Sequence, residues 1–180
     1  KGDLMSGSAW YFKEGKLSNI YYQREEDSIG QIYAEVTRFL GFRPNRHEGK
    51  VTGLAATGDP KYYEDVFEKL TKLDNKGMIK RCNKLLNYNR QGMFLQTYFK
   101  NKLDKSLRSN IAAAVQNTIE KIFVNHLEKI IDKKSNIALA GGLFANVKIN
   151  QEIRNLEKCK NLFVQPAMAD CGLSLGAAQL

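Results

Sequence analysis

A repeated order of strand, glycine turn and helix near the end of the chain constrains the fold more than any other feature. An apolar strand is predicted from Asn136 to Ala140, followed by Gly141-Gly142 and a helix from Leu143 to Leu156. A second strand is predicted from Asn161 to Gln165, and a small-residue helix from Gly172 to Leu180. Such units require parallel strands joined by a crossover helix. The sequence therefore predicts an α/β fold with the loops that follow the strands gathered at one edge of a sheet.

The start of the chain has the pattern of an antiparallel hairpin. Residues from Ser6 to Phe12 and from Leu17 to Gln23 are rich in aromatic and β-branched types, and Lys13–Lys16 has the composition of a turn. Ser28 then precedes an amphipathic helix that extends to Leu40, because its apolar residues recur at helical spacing. A hairpin followed by the strand–helix units predicts one mixed sheet with flanking helices.

The middle of the chain is less regular. The Asp59-Pro60 pair predicts the start of a helix, with aspartate as the N-cap and proline at the first helical position. Residues 74–104 are broken by Asn and Gly, and we expect loops there with a short strand from Met93 to Phe99. A long helix is predicted from Ser106 to Asp132. His126 lies on its apolar side, where a hydrogen-bonded core histidine is the expected role.

The chain is basic, with 28 Lys and Arg against 19 Asp and Glu and a formal net charge of +9. The cations are scattered, and short clusters such as Lys158 and Lys160 fall at predicted helix ends, where they complement the helix dipole. A solvated surface is therefore favoured over a nucleic-acid interface, with anionic small substrates as the alternative.

The location expected from the sequence is the cytoplasm. No apolar run approaches the roughly 18 residues that span a bilayer, so no membrane partner is expected, and no secretory pattern opens the chain. The three cysteines, Cys82, Cys159 and Cys171, form no C-x-x-C pair and indicate inert or buried thiols. The 180 residues suit a single domain. Because the first residue is lysine and a strand follows at once, we expect the protein to extend upstream.

The first candidate site is the glycine turn after the first parallel strand. Gly141 and Gly142 would let backbone N–H groups approach an anion or a nucleotide without obstruction by a side chain. The alternative is a tight structural turn with Asn146 facing solvent, and spacing alone does not decide between the two.

Two further segments could carry chemistry. Asp170 follows the second parallel strand and could ligate a hard cation, or it could cap the helix that begins near Gly172. The glycine-rich segment His47–Asp59 could cradle phosphate, with Lys50 as a point charge, or it could be a long surface loop. It lacks the G-x-x-x-x-G-K-[ST] pattern, which excludes an ordinary P-loop.

Ordered motifs carry a resemblance to a known family. They are SIGQIYAEVTRFLGF (Ser28 to Phe42), RHEGKVTGLAATGDP (Arg46 to Pro60), NIALAGGLFANVKIN (Asn136 to Asn150) and LFVQPAMADCGLSLGAA (Leu162 to Ala178). In this order they resemble the carbamoyltransferases of the nodulation and antibiotic-tailoring type. The resemblance covers nearly the whole chain and is weakest from about Tyr62 to Lys105.

The resemblance implies a fold and a reaction. The fold is one lobe of the nucleotide-binding architecture shared by actin, Hsp70 and sugar kinases, which is ribonuclease H-like. The reaction uses ATP and carbamoyl phosphate to form a carbamoyl-adenylate and then transfers the carbamoyl group to a hydroxyl of a small-molecule acceptor. A divalent metal, iron or magnesium, is also implied, and a homodimer is compatible with this interpretation. The resemblance implies cofactor binding by Gly141, Gly142, Asn146, Lys50 and Gly172. It implies metal binding by Asp170.

The sequence also departs from the family pattern. Thr57 stands where many members have tyrosine, and the family's metal-binding histidine motif and C-terminal domain find no match within these residues. We therefore expect the chain alone to be inactive. Two alternatives remain open at this point, namely a tRNA threonylcarbamoyl transferase-like enzyme and a catalytically inactive nucleotide-binding scaffold.

Overall fold

The computed structural model describes residues 5–82 and 91–178, which form an α/β structure. The strands are β1 (Met5–Lys13), β2 (Lys16–Arg24), β3 (Thr71–Leu73), β4 (Ile79–Arg81), β5 (Ser135–Leu139) and β6 (Cys159–Val164). The helices are α1 (Ile29–Phe39), α2 (Glu48–Ala55), α3 (Glu64–Glu68), α4 (Gln91–Lys102), α5 (Arg108–Ile130), α6 (Val147–Arg154) and α7 (Gly172–Ala178). The predicted α/β class is confirmed.

The predicted hairpin is present. β1 and β2 pair antiparallel, and the loop that joins them is closed by the Lys13 and Lys16 pair. Glu14 and Gly15 both have positive φ, 52° and 77°, which is the geometry of the tight turn that matches strand twist. Several large side chains of this hairpin are exposed, including Phe12 at 66% and Trp10 at 47%.

The strands do not form the single mixed sheet that the sequence predicts. In the described part of the chain, β1–β2, β3–β4 and the parallel pair β5–β6 are three separate two-stranded sheets. The long helix α5 packs against α2, α3 and α6 and carries much of the buried core, including Ile111, Val115 and Ile119. The sheets and helices are therefore joined by side chains of α5 rather than by hydrogen bonds between strands of different sheets.

Helix α1 begins and ends where the sequence predicts. Its apolar face, which includes Ile32 and Val36, is buried in the core. At its end Gly41 has a φ of 82°, its N–H donates to the Arg38 carbonyl, and the Phe42 N–H donates to the Thr37 carbonyl. This is a Schellman C-cap, which a glycine accommodates without strain.

Two segments were predicted wrongly. The glycine-rich segment that the sequence assigned to a loop contains helix α2, with Val51 fully buried on one side. Gly49 and Gly53 lie on the exposed side of that helix, where they lower its intrinsic propensity but do not prevent burial of the opposite face. The predicted strand from Met93 to Phe99 is instead part of helix α4, which buries Leu95 and Phe99.

The other elements follow the predictions closely. The Asp59 side chain accepts a hydrogen bond from the Lys61 N–H and caps a 3-10 turn that leads into α3. The predicted helix after the glycine pair is divided, because a 3-10 turn, Gly142–Ala145, precedes α6. Lys158 donates to the Glu128 and Ile131 carbonyls at the end of α5, as the predicted helix-end role requires, whereas Lys160 lies within β6 and not at a helix end.

Two of the sequence expectations concern thiols and membranes. Cys159 is buried, Cys82 is half-buried and Cys171 is exposed, so burial is observed for Cys159, and the alternative expectation of inert thiols stays a prediction for the others. Among residues 5–82 and 91–178, no helix is both long enough and apolar enough to cross a bilayer.

His126 is a core histidine, as predicted. It is 0% exposed, with Nδ1 2.7 Å from the Gly77 carbonyl and Nε2 2.8 Å from the Tyr21 hydroxyl. A carbonyl only accepts, so Nδ1 carries the proton and Nε2 accepts from the tyrosine. The histidine thereby connects the hairpin, α5 and the β3–β4 turn.

We expect the stability of the protein to fall as the pH drops through about 6.5, the ordinary histidine pKa. Burial lowers the pKa of His126, so below that pH the unfolded chain binds a proton that the folded chain does not. The contribution of neutral His126 is complete above this pH and is lost below it. Urea unfolding of the wild type and of His126→Gln at pH 7.5 and 5.5 tests this, because the variant should show a smaller pH dependence.

Thr118→Val provides the control, because it removes a buried hydroxyl but no titratable group. It should retain the wild-type pH dependence of the unfolding free energy. Equal pH dependence in wild type and His126→Gln would contradict the assignment.

Candidate functional site

The glycine turn between β5 and α6 has an open surface. Gly141 has a φ of 113°, a conformation that other residues rarely adopt, and Gly142 begins the 3-10 turn. A Cβ atom added to Gly142 would meet no atom within 4 Å. The space over Gly142 is therefore free for a ligand to approach the backbone closely.

Asn146 ends this turn and caps helix α6. Its Oδ1 accepts hydrogen bonds from the backbone N–H groups of Lys148 at 3.1 Å and Ile149 at 3.3 Å. The Asn150 Nδ2 donates to the Phe144 carbonyl at 2.8 Å and braces the same turn. Because Asn146 occupies the first N–H groups of α6, those groups are not free donors for an anion.

A buried glutamine of α5 holds the Asn146 side chain. Gln116, 5% exposed, accepts from the Asn146 Nδ2 at 2.9 Å and donates from Nε2 to the Asn146 Oδ1 at 3.1 Å. Its Nε2 also donates to Glu120 Oε1 at 2.6 Å. The alternative in which Asn146 simply faces solvent is therefore wrong.

The same glutamine connects the glycine turn with helix α2. The Tyr33 hydroxyl donates to Gln116 Oε1 at 2.8 Å and lies 2.8 Å from the Thr52 hydroxyl. Burial raises the pKa of Tyr33 to about 12, so the hydroxyl stays protonated at neutral pH. Since that proton goes to Gln116, Thr52 donates to Tyr33, and the longer contact of the Thr52 hydroxyl with the Glu48 carbonyl, at 3.4 Å, then lacks the proton. Thr52 is two residues from Lys50, so the network joins two of the predicted segments.

Lys50 itself is not part of this network. Its side chain is exposed on α2, and its Nζ lies 5.8 Å from the centre of the Phe42 ring. Thr57, at the end of the same segment, donates its hydroxyl proton to the Leu54 carbonyl. A phosphate-binding role for Lys50 remains a prediction. Lys50 would act from helix α2 and not from the loop that the sequence suggested.

The loop after β6 contacts the glycine turn through the backbone. The Gly141 N–H donates to the Met168 carbonyl at 2.6 Å, which brings the two predicted loops together. A Cβ on Gly172 would lie 2.5 Å from the Ala167 carbonyl oxygen, so this glycine is required by the packing of its own loop. The binding role predicted for Gly172 is untested by these contacts.

Asp170 is exposed in this loop, and within residues 5–82 and 91–178 its carboxylate has no hydrogen-bond partner. The capping role is therefore not seen, and its oxygens are accessible. In the same residues no group of three or more His, Cys, Asp or Glu side chains could hold a metal ion. Since one carboxylate cannot complete the coordination of a hard cation, these residues do not form a metal site by themselves.

The chemistry of the turn is compatible with a nucleotide, whereas its carboxylate does not suffice for a metal. Gly142 provides an open backbone surface, and the Asn146 amide that ends the turn offers an N–H to an acceptor of a nucleoside. The Asn150 Oδ1 has no hydrogen-bond partner in the described part of the chain, but it is buried and therefore not accessible to a ligand.

Sequence reasoning missed the residues from α1 and α5 that support this site, namely Tyr33, Gln116 and Glu120. One signal was available, because Gln116 is a polar residue that directly follows the buried run Ile111–Val115. A buried amide on an apolar helix face must find hydrogen-bond partners.

The chain is similar to known proteins over nearly its whole length. The family described as "Carbamoyltransferase N-terminus" matches residues 1–179. Nodulation protein NolNO of Sinorhizobium fredii is 32% identical over 98% of this chain and 26% of its own length. Nodulation protein NolO of Bradyrhizobium diazoefficiens is 28% identical over 98% of the chain and 32% of its own length. An uncharacterized protein of Methanocaldococcus jannaschii is 32% identical over 99% of the chain and 32% of its own length.

Proposed function

The chain belongs to the carbamoyltransferase family, whose N-terminal region it matches, and from this premise we propose that it forms part of an ATP site in an O-carbamoyltransferase. The chain spans about a third of the length of the curated relatives it matches, from 26% to 34%. The activity proposed is therefore that of a larger polypeptide, and the chain alone is expected to be inactive. Its fold is proposed to be one lobe of a ribonuclease H-like nucleotide-binding domain.

The observation that carries this proposal is the open surface at Gly142. Close approach of a ligand to a backbone requires a residue without a side chain, and within residues 5–82 and 91–178 no atom beyond its chain neighbours lies within 4 Å of where a Gly142 Cβ would be. The Asn146 side chain ends the turn, and an amide group of this kind can distinguish a nucleoside by its donors and acceptors.

The proposed reaction has two stages. Water hydrolyses carbamoyl phosphate to carbamate and inorganic phosphate, and a carbamate oxygen then attacks the α-phosphate of ATP, displacing pyrophosphate and giving carbamoyl-adenylate. An acceptor hydroxyl then attacks the carbamoyl carbon, its proton is lost, and AMP leaves. In this scheme the turn at Gly142 orients the adenosine, and Lys50 contributes positive charge toward a phosphate.

A metal ion is part of the proposal only through Asp170. Its accessible carboxylate would supply one ligand to a divalent cation, iron or magnesium, and the other ligands would come from outside the described residues. Such an ion would neutralise phosphate charge when bound.

We expect the complete polypeptide that carries this sequence to bind ATP and to release pyrophosphate only when ATP and carbamoyl phosphate are both present. Calorimetric titration with ATP measures the first property, and a coupled pyrophosphate assay measures the second. Failure to bind any adenine nucleotide would refute the proposed site. ATP binding without carbamoyl phosphate-dependent pyrophosphate release would refute the activity and indicate an inactive scaffold.

A further inference from the structure

We propose that Gln116 is a positioning residue of the nucleotide site, which holds the Asn146 carboxamide in one orientation and leaves a single N–H for the ligand. The inference rests on the proposed function, because the ligand is the nucleotide proposed there. It adds a residue from α5 that lies outside the motifs that resemble the family and assigns the chemistry of one ligand contact.

The orientation of Asn146 is fixed by the backbone of α6. The N–H groups of Lys148 and Ile149 are donors, so the atom of Asn146 that faces them must be Oδ1. With Oδ1 placed there, Nδ2 is the atom that reaches Gln116 Oε1 at 2.9 Å. The two amides then complete a reciprocal pair, since Gln116 Nε2 donates to the Asn146 Oδ1 at 3.1 Å.

The orientation of Gln116 is fixed in turn by its other partners. Its Oε1 accepts from Tyr33 as well as from Asn146, and its Nε2 donates to Glu120 as well as to Asn146. All four hydrogen-bonding positions of this amide are therefore used. Rotation of the amide by 180° would set its NH₂ group against the Asn146 NH₂ group and its oxygen against the Glu120 carboxylate, which would remove these bonds.

The pairing with Gln116 leaves Asn146 one unused hydrogen-bond donor. Of the two hydrogens on Nδ2, one is donated to Gln116, and the second has no partner among residues 5–82 and 91–178. Oδ1 already accepts three hydrogen bonds, from Gln116 and from the two backbone groups. Asn146 is thus a donor toward the ligand, and it suits an acceptor such as an adenine ring nitrogen or a ribose oxygen.

The test is a double-mutant cycle on ATP affinity in the complete polypeptide. Gln116→Leu removes the amide at similar size, and Asn146→Ser keeps a capping oxygen for α6 while removing the carboxamide that Gln116 holds. We expect Gln116→Leu to raise the Kd for ATP by about tenfold, the size of one lost hydrogen bond. In the Asn146→Ser background the same change should alter the Kd by less than about twofold, because Gln116 then has no amide to position.

Two further variants keep the test decisive if Gln116→Leu folds poorly. Tyr33→Phe removes only the hydroxyl that orients Gln116 and should raise the Kd in the same direction by a few-fold. Thr118→Val is the matched control, because this buried threonine of α5 donates only to the Ala114 carbonyl, and its ATP affinity should equal that of the wild type.

The outcomes separate this inference from the proposed function. If the wild type does not bind ATP, the proposed function and the positioning role of Gln116 are both refuted. If Gln116→Leu and Tyr33→Phe both bind ATP with wild-type affinity, only the positioning role is refuted. The same holds if Gln116→Leu loses equal affinity with and without Asn146→Ser. If Gln116→Leu does not fold, Tyr33→Phe replaces it in the cycle with Asn146→Ser. An equal loss of ATP affinity from Tyr33→Phe with and without Asn146→Ser then refutes the positioning role.

Discussion

Gly142→Asp is expected to weaken ATP binding by about a hundredfold or more while leaving the fold intact. The new side chain would take the space that the adenosine is proposed to occupy, and its charge would repel the phosphates of ATP, which together cost about 3 kcal/mol and correspond to that loss. The fold should tolerate the change, because a Cβ at this position meets no atom within 4 Å and Gly142 does not have a positive φ. Gly141 would be a poorer probe, since its φ of 113° makes any substitution strained.

The measurement is a pair of titrations with ATP together with thermal unfolding of each protein. Asn125→Asp is the matched control, because it adds the same charge at an exposed position of α5. The control should bind ATP as the wild type does, and both variants should unfold near the wild-type temperature. Unchanged affinity in Gly142→Asp would show that the nucleotide does not approach this turn.

The elements that the sequence predicts correctly are those whose signals are local. The hairpin has its turn in Glu14-Gly15, and α1 has both its apolar spacing and its terminal Gly41, so neighbouring residues alone determine these structures. The βαβ order likewise depends on a strand-forming run on each side of a helix and on the glycines that follow the first run. These features need no information about distant parts of the chain.

The failures arise where tertiary contacts outweigh local propensity. The α2 segment contains Gly49 and Gly53, which indicate a loop, but burial of Val51 and the bond between Thr52 and Tyr33 favour the helix. The separation of the strands into three sheets could not be predicted either, since strand pairing depends on which surfaces α5 covers.

The candidate site divides in the same way. Gly141, Gly142, Asn146 and Asp170 were identified by resemblance, and the Gly141 bond to Met168 brings their two loops together. Which groups of Asn146 remain available is a different question. It depends on Gln116, whose sequence position is thirty residues away, so only the three-dimensional contacts could answer it.

Gly58→Ala is expected to destabilise the fold by about 3 kcal/mol, near the upper end of the usual range for overpacking. A Cβ on Gly58 would lie 2.0 Å from the Ser109 carbonyl oxygen and 2.8 Å from the Asn110 backbone nitrogen. Neither atom is the end of a flexible side chain, so the residues after α2 and the first turn of α5 would have to separate. That separation would also strain the bond from the Asp59 N–H to the Asn110 Oδ1, which is 3.0 Å long.

Gly53→Ala is the matched control for this prediction and should act in the opposite direction. Gly53 lies in α2 with nothing within 4 Å of its added Cβ, so alanine should stabilise the helix by about 0.5–1 kcal/mol. Urea unfolding of both variants and the wild type measures the two changes. A Gly58→Ala protein as stable as the wild type would contradict the close contact. If the two stability changes have opposite signs, Gly58 is required by packing and Gly53 is not, although both lie in the same glycine-rich segment. Glycine content alone therefore cannot identify a phosphate-binding loop.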